Sequence, residues 1–316
     1  MISLRARLLF WLVRVSGLKN RMLREGAAEK FLAHNHARGA ARPGRWFRKN
    51  CSVDENMIDG RPFFQLTPKD KASSLHIFYL HGGGYAFNIT SLHWRYIKKI
   101  MKRTGASFSV PLYPLSPEHK WDESYAMVMQ AYKQVVAKHG ADNIVFMGDS
   151  AGGGFSLGLS QTLRNDYQPQ PKKLVLLSPY LDQTAADPQQ LELEKKDILI
   201  SVEGIRRLGS WWTRAGENSD VFPVSPLFAP IDNLPPMQVF AGTDEVLLSD
   251  SKRLKQKGEV GDADIDLRVY DGMQHVWMLL PIREAKQAID EIAKFLLAPE
   301  VQLEQDTVGL AEKELL

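Results

Sequence analysis

One turn constrains this chain more than any other feature. Gly148-Asp149-Ser150-Ala151-Gly152-Gly153 follows the apolar run Ile144–Met147 and opens a segment with helical spacing, Ala151–Arg164. A serine at a sharp strand-to-helix junction sits in strained backbone, and glycines two before and two after it relieve clashes where chains pass closely. Its hydroxyl then stands above a helix N-terminus, which favours negative charge. The rest of the pattern agrees with a sheet that can hold such a junction. Apolar runs recur at Leu75–Leu80, Ser107–Pro111, Leu174–Leu177, Met237–Ala241 and Asp266–Tyr270, most of them nearly continuous, as in strands buried on both faces. Helical spacing fills the gaps at Leu92–Arg103, Asp122–Lys138, Leu247–Lys257 and Ile282–Leu297. This alternation predicts an α/β fold: a mainly parallel central sheet, right-handed crossovers and helices on both faces. Arg45–Val53 and Met57–Leu66 read as two further strands, with an Asp59-Gly60 turn signal. Asp187–Asp220 breaks the rhythm. It is a polar stretch followed by a helix-like segment, Val202–Ala215, and reads as an insertion over the carboxyl edge of the sheet.

Composition narrows the class. With 316 residues, 44% apolar and 24% charged, the chain can fill a large core and has no long uncharged apolar run, so neither disorder nor a membrane bundle fits. A net charge of +3 argues against a nucleic-acid binder. The single cysteine, Cys51, excludes internal disulfides and cysteine-rich metal sites. Charge is nevertheless uneven. Residues 1–45 carry ten Lys/Arg against Glu25 and Glu29, a net of +8, which leaves −5 for the remainder, and the stretch after Pro299 is acidic. Leu4, Leu8, Trp11, Val15, Leu18 and Met22 form a stripe, with Arg7, Arg14 and Arg21 on another face. Such a helix either packs as a lid on its own protein or contacts an anionic membrane surface through residues 1–22. The run Leu8–Val13 is shorter than a secretory h-region and no cleavage site follows closely, so the expectation is a cytoplasmic protein. The expected organisation is an N-terminal helical cap segment at 1–45, a catalytic domain at 46–298 with a cap insertion at about 187–220, and an acidic tail at 299–316. A homodimer stays open.

His81-Gly82-Gly83-Gly84 follows the run Leu75–Leu80. At this glycine content the tetrad arises by chance roughly 0.003 times in such a chain. Acyl transfer passes through a tetrahedral intermediate whose oxygen becomes an anion, and unhindered backbone N–H groups stabilise it. The amides of Gly83, Gly84 and Ala151 are therefore the candidate oxyanion hole.

These two motifs, in this order, resemble the hormone-sensitive-lipase-like family of α/β-hydrolases, whose bacterial members are carboxylesterases. Tyr113-Pro-Leu-Ser-Pro-Glu118-His119, Gly242-Thr243-Asp244-Glu245 and Gly272-Met273-Gln274-His275 match further stretches of the family: a tyrosine-to-glutamate segment, the turn bearing the triad acid and the turn bearing the base. The resemblance spans roughly residues 75–297 and departs at Val276-Trp277, where many members carry Gly-Phe. It implies a serine hydrolase with no cofactor and no metal. The residues support the triad on their own account, because an elbow of this kind expects the order serine, acid, histidine. His275 is the only histidine after Ser150. Among the acids after Met237–Ala241, Asp244 is favoured, since Glu245 points elsewhere if Asp244 points inward and Asp250 falls inside the next helix. Tyr85, Phe87, Trp211, Trp212, Phe222 and Trp277 are candidate pocket liners. Glu118 and His119 are expected to brace the oxyanion loop, and Asp149 to be a structural hydrogen-bonder. The expected activity is hydrolysis of short- to medium-chain acyl esters through an acyl-enzyme. A lactonase or amidase with the same triad, or a non-catalytic ligand receptor, are the alternatives.

Overall fold

The computed structural model describes residues 2–22, 26–261 and 263–299; the acidic tail expected from residue 299 lies, beyond Pro299, outside the described residues. Among the described residues eight strands form one sheet in the order β1-β2-β4-β3-β5-β6-β7-β8. They are β1 (Cys51–Ile58), β2 (Arg61–Pro68), β3 (His76–Leu80), β4 (Ser107–Pro111), β5 (Ile144–Asp149), β6 (Lys173–Leu177), β7 (Met237–Gly242) and β8 (Ile265–Tyr270). β1 and β2 pair antiparallel, as do β2 and β4, and every other pairing is parallel. The sequence predicts this mainly parallel α/β sheet, and each of its six apolar runs from Leu75 onward lies on a strand.

The fully apolar runs are strands buried on both faces. Every residue of β3, β4, β5, β6 and β7 is buried. One face packs under α6 (Trp121–His139), α7 (Ala151–Asn165) and α10 (Leu248–Gly261), around Phe146, Phe155, Leu176, Val239 and Leu254. The other packs under α5 (Ser91–Thr104) and α11 (Arg283–Leu297), around Ile97, Val145, Val175, Phe240 and Ile289. α5 ends where Gly105 takes φ +68°, and its amide caps the Met101 carbonyl.

One expectation fails at the sheet edge. Arg45–Asn50, read as the start of a strand, is a short helix, α4. Its aromatic pair is not laid along a sheet: Phe47 is buried edge-on against Trp94, and the Asn50 amide donates to the Trp46 carbonyl at 2.7 Å. The strand begins at Cys51, with the turn at Asp59-Gly60 joining it to β2.

Three more helices precede α4: α1 (Leu4–Ser16), α2 (Leu18–Met22) and α3 (Ala27–Arg38). The insertion contributes α8 (Gln189–Glu194) and α9 (Val202–Trp212). Among the described residues no helix is long and apolar enough to cross a membrane.

Candidate active site

Ser150 occupies the junction between β5 and α7 at φ +53°, a region that residues other than glycine seldom enter. Its amide donates to the Leu177 carbonyl at 2.8 Å, which ties the turn to the end of the neighbouring strand. The flanking glycines are there for space. A Cβ at Gly152 would stand 1.9 Å from the Leu80 carbonyl oxygen, so no side chain could be accepted without moving β3.

The structure brings His275 to this serine. Its Nε2 lies 2.9 Å from Ser150 Oγ, and its Nδ1 lies 2.7 Å from a carboxylate oxygen of Glu245. The Asp244 assignment is thereby corrected: the acid at the imidazole is Glu245. β7 runs through Gly242, and the turn that follows it aims Glu245 rather than Asp244 at the imidazole. Asp244 is left half-buried, beside the Thr243 hydroxyl at 3.2 Å. Glu245 is fully buried, and its second oxygen accepts from the Gly242 amide at 2.6 Å and the Ser178 hydroxyl at 3.0 Å. A carboxylate held by two donors and an imidazole is a compensated buried charge. Burial by itself depresses the His275 pKa. The Glu245 hydrogen bond and charge outweigh it, helped by Asp197 and Asp149, and the net shift is upward from the ordinary histidine value.

The glycine loop lies against the same space. Gly83 and Gly84 line the pocket that holds Ser150 and His275, with φ +115° and +61°. Ala151 is the first residue of α7, so its N–H has no partner within the helix. Asp149 pins the loop from behind: its carboxylate accepts from the Tyr79 hydroxyl at 2.5 Å and the Gly82 amide at 3.0 Å, and faces His93 Nε2 at 3.2 Å. Desolvation would raise its pKa, but His93, Tyr79 and the Gly82 amide hold it below the ordinary aspartate value. His81 stacks on Tyr113, and burial and His93 push it down to about 4, which leaves it neutral.

The brace expected from Glu118 and His119 comes from their neighbours. The Tyr113 hydroxyl donates to the His81 carbonyl at 2.6 Å and the Ser116 amide to the Tyr85 carbonyl at 2.9 Å. Glu118 instead faces His36, and His119 bonds Glu123 and Arg61.

The pocket holds about 570 Å³. Its walls are Leu9, Phe10 and Val13 of α1, Ala28 of α3, Ile205, Leu208 and Trp211 of α9, and Val276 and Leu279 beside the histidine. Of the aromatic candidates, Phe87 and Trp211 line it. The others do not. Trp212, adjacent to Trp211 on α9 and so about 100° further round, turns into the core and stacks on Tyr85 at 4.1 Å. Trp277 is fully buried beneath the histidine turn, 5.1 Å from Tyr270, and Phe222 lies outside the walls.

Asp197 went unnoticed in the sequence. Buried in the insertion, it accepts from the amides of Leu199 and Ile200 at 2.8 Å and of Val246 at 2.9 Å. It thus ties a pocket wall to the residue after Glu245. Burial raises its pKa, opposed by His275 and these amides. Gln274 adds a second tie, accepting from the Ile198 amide at 3.0 Å. No composition or spacing signal marks Asp197.

Comparison with known proteins places the fold and the family. A family model described as alpha/beta hydrolase fold matches residues 77–279. An esterase of Acinetobacter venetianus is 33% identical over 227 residues, which cover 69% of this chain and 73% of that protein. The crystal structure of a putative esterase from Staphylococcus aureus superposes with a TM-score of 0.81 at 28% identity, covering 87% of this chain and 94% of that one. A hormone-sensitive lipase from a metagenome library gives a TM-score of 0.82 at 25% identity, with 94% and 98% covered. The chain belongs to the hormone-sensitive-lipase-like family of α/β-hydrolases.

Proposed function

We propose that this protein is a serine carboxylesterase acting on short- to medium-chain acyl esters. The observation that carries the reading is the continuous line from Ser150 Oγ through the imidazole of His275 to the buried carboxylate of Glu245, with steps of 2.9 and 2.7 Å. The Ser150 proton passes to His275 Nε2 as Oγ attacks the ester carbonyl carbon. The resulting oxyanion faces the amides of Gly83, Gly84 and Ala151, each such donor being worth about 10²–10³ in rate in comparable sites. As the intermediate collapses, the C–O bond to the alcohol breaks and His275 returns the proton to the leaving oxygen. Water then gives a proton to His275 and attacks the acyl-enzyme, and Ser150 is released with its proton restored. Glu245 holds the tautomer with Nδ1 protonated and stabilises the imidazolium.

The apolar walls contributed by α1 and α9 favour an acyl chain over a charged group, and relatives named as esterases agree with ester chemistry. The test is a panel of p-nitrophenyl esters from acetate to decanoate, run with the purified protein and with Ser150→Ala. Turnover of the shorter members, lost by about 10⁴-fold or more in the variant, is the expected result. A Ser150→Ala protein that keeps most of its rate removes the assignment.

A further inference from the structure

α1 presents two apolar faces rather than one. Ala6 and Phe10 are buried, and Leu9, Phe10 and Val13 line the pocket. On the opposite side Leu4 is 80% exposed, Leu8 56%, Trp11 57%, Leu12 47% and Val15 58%. At 100° per residue these five span about a third of the circumference. The exposed Arg5 borders one side of this strip, and the exposed Arg7 and Arg14 border the other. The stripe read from the sequence is therefore the outward face, and a different set of side chains packs the helix down. Exposed singly, such residues mean little; five on one helix face form a contiguous patch.

The ends of the segment are clamped. Ser3 donates through its amide and hydroxyl to Glu284 of α11, at 2.5 and 2.9 Å, and Lys19 donates to the carbonyls of Glu194 and Asp197 at 2.6 and 3.0 Å. The strip is thus held in place as a preformed surface.

We propose that the outward face of α1 docks on an anionic phospholipid surface, with the helix lying parallel to it and its apolar strip below the headgroups. Charge complementarity selects this occupant. Residues 2–22 contain Arg5, Arg7, Arg14, Lys19 and Arg21 and no Asp or Glu. Arginines flanking an apolar strip sit at headgroup level when the strip is immersed, where each is attracted to an anionic leaflet. A second copy of the chain fits less well. Two-fold pairing would bring the arginine borders of both helices together with no acid on either. The surface stands apart from the ester chemistry, since none of the strip residues lines the pocket.

The test is co-sedimentation of the full chain with vesicles of phosphatidylcholine alone and with about one third phosphatidylglycerol. Wild type and Ser150→Ala should both sediment with the anionic vesicles, detach as salt rises, and bind pure phosphatidylcholine more weakly. Leu8→Gln/Trp11→Gln and Arg5→Gln/Arg7→Gln should each lose about tenfold or more in partitioning to anionic vesicles, while hydrolysis of dissolved p-nitrophenyl butyrate stays within about twofold of wild type. Three outcomes overturn the proposal: no sedimentation of wild type with anionic vesicles, equal sedimentation of wild type and folded variants, or a dimer that Leu8→Gln/Trp11→Gln dissolves. Should a variant prove unfolded, the salt and lipid dependence of wild type decides alone.

Discussion

At the floor of the pocket each member of the proposed triad is fixed by a strand end. Ser150 follows β5 and is bonded to the end of β6, Glu245 is bonded to the last residue of β7, and His275 follows β8. The roof is built otherwise. α1 is clamped at its ends and rests between them on apolar contacts, while α9 reaches over Gly84 with Leu208 close above the glycine. Directional hydrogen bonds hold the floor to a fraction of an ångström, as proton transfer demands. Between its hydrogen-bonded anchors the roof is held by apolar packing, which tolerates changes of shape as long as volume is kept. In the proposed reaction, chemistry and selectivity fall to regions held by different forces.

If that division holds, Glu245→Gln should give the largest effect after loss of the serine: about 10³–10⁴-fold in kcat, from an imidazole left with the wrong tautomer and no stabilised cation. Because Glu245 raises the His275 pKa, the acid limb of kcat/KM in the wild type should lie above the ordinary histidine value, with the base inactivated by protonation as pH falls through it. Any residual activity of Glu245→Gln should lose its acid limb at lower pH than wild type. Trp277→Ala tests the boundary from the other side. Buried below the floor, it should cost about 3–5 kcal/mol in denaturant unfolding with little change in chain-length preference. Trp211→Ala, in the roof, should alter the ratio of butyrate to octanoate turnover by about 10-fold and leave acetate turnover nearly unchanged, as an ester panel would read. The smallest effect is expected for Asp244→Asn, within about threefold in kcat/KM, since its carboxylate is turned to Thr243. A loss comparable to that of Glu245→Gln would return the acid to Asp244.

The same division governs what could be read in advance. The floor announces itself, because a buried parallel strand needs a continuous apolar run and an elbow needs glycines at fixed offsets from Ser150. His275 emerged by chain order alone. The acid did not. Asp244 and Glu245 are adjacent, and which one faces the imidazole is set by the rotation of the turn after β7, which an apolar pattern does not resolve. The roof was less legible still. Trp211 and Trp212 are chemically alike and differ only in rotation about α9, and the stripe Leu4, Leu8, Trp11, Val15 looks from sequence like a packing face although the helix packs through Phe10 and Val13. Trp46 and Phe47 suit a strand by type and form α4 because Phe47 finds Trp94.

Asp197 joins the two regions. One oxygen of its carboxylate receives the amides of Leu199 and Ile200, and the other receives Val246. One buried carboxylate therefore anchors both the wall at residues 199–200 and the peptide that follows Glu245, so an outward push on the first should be felt at the second.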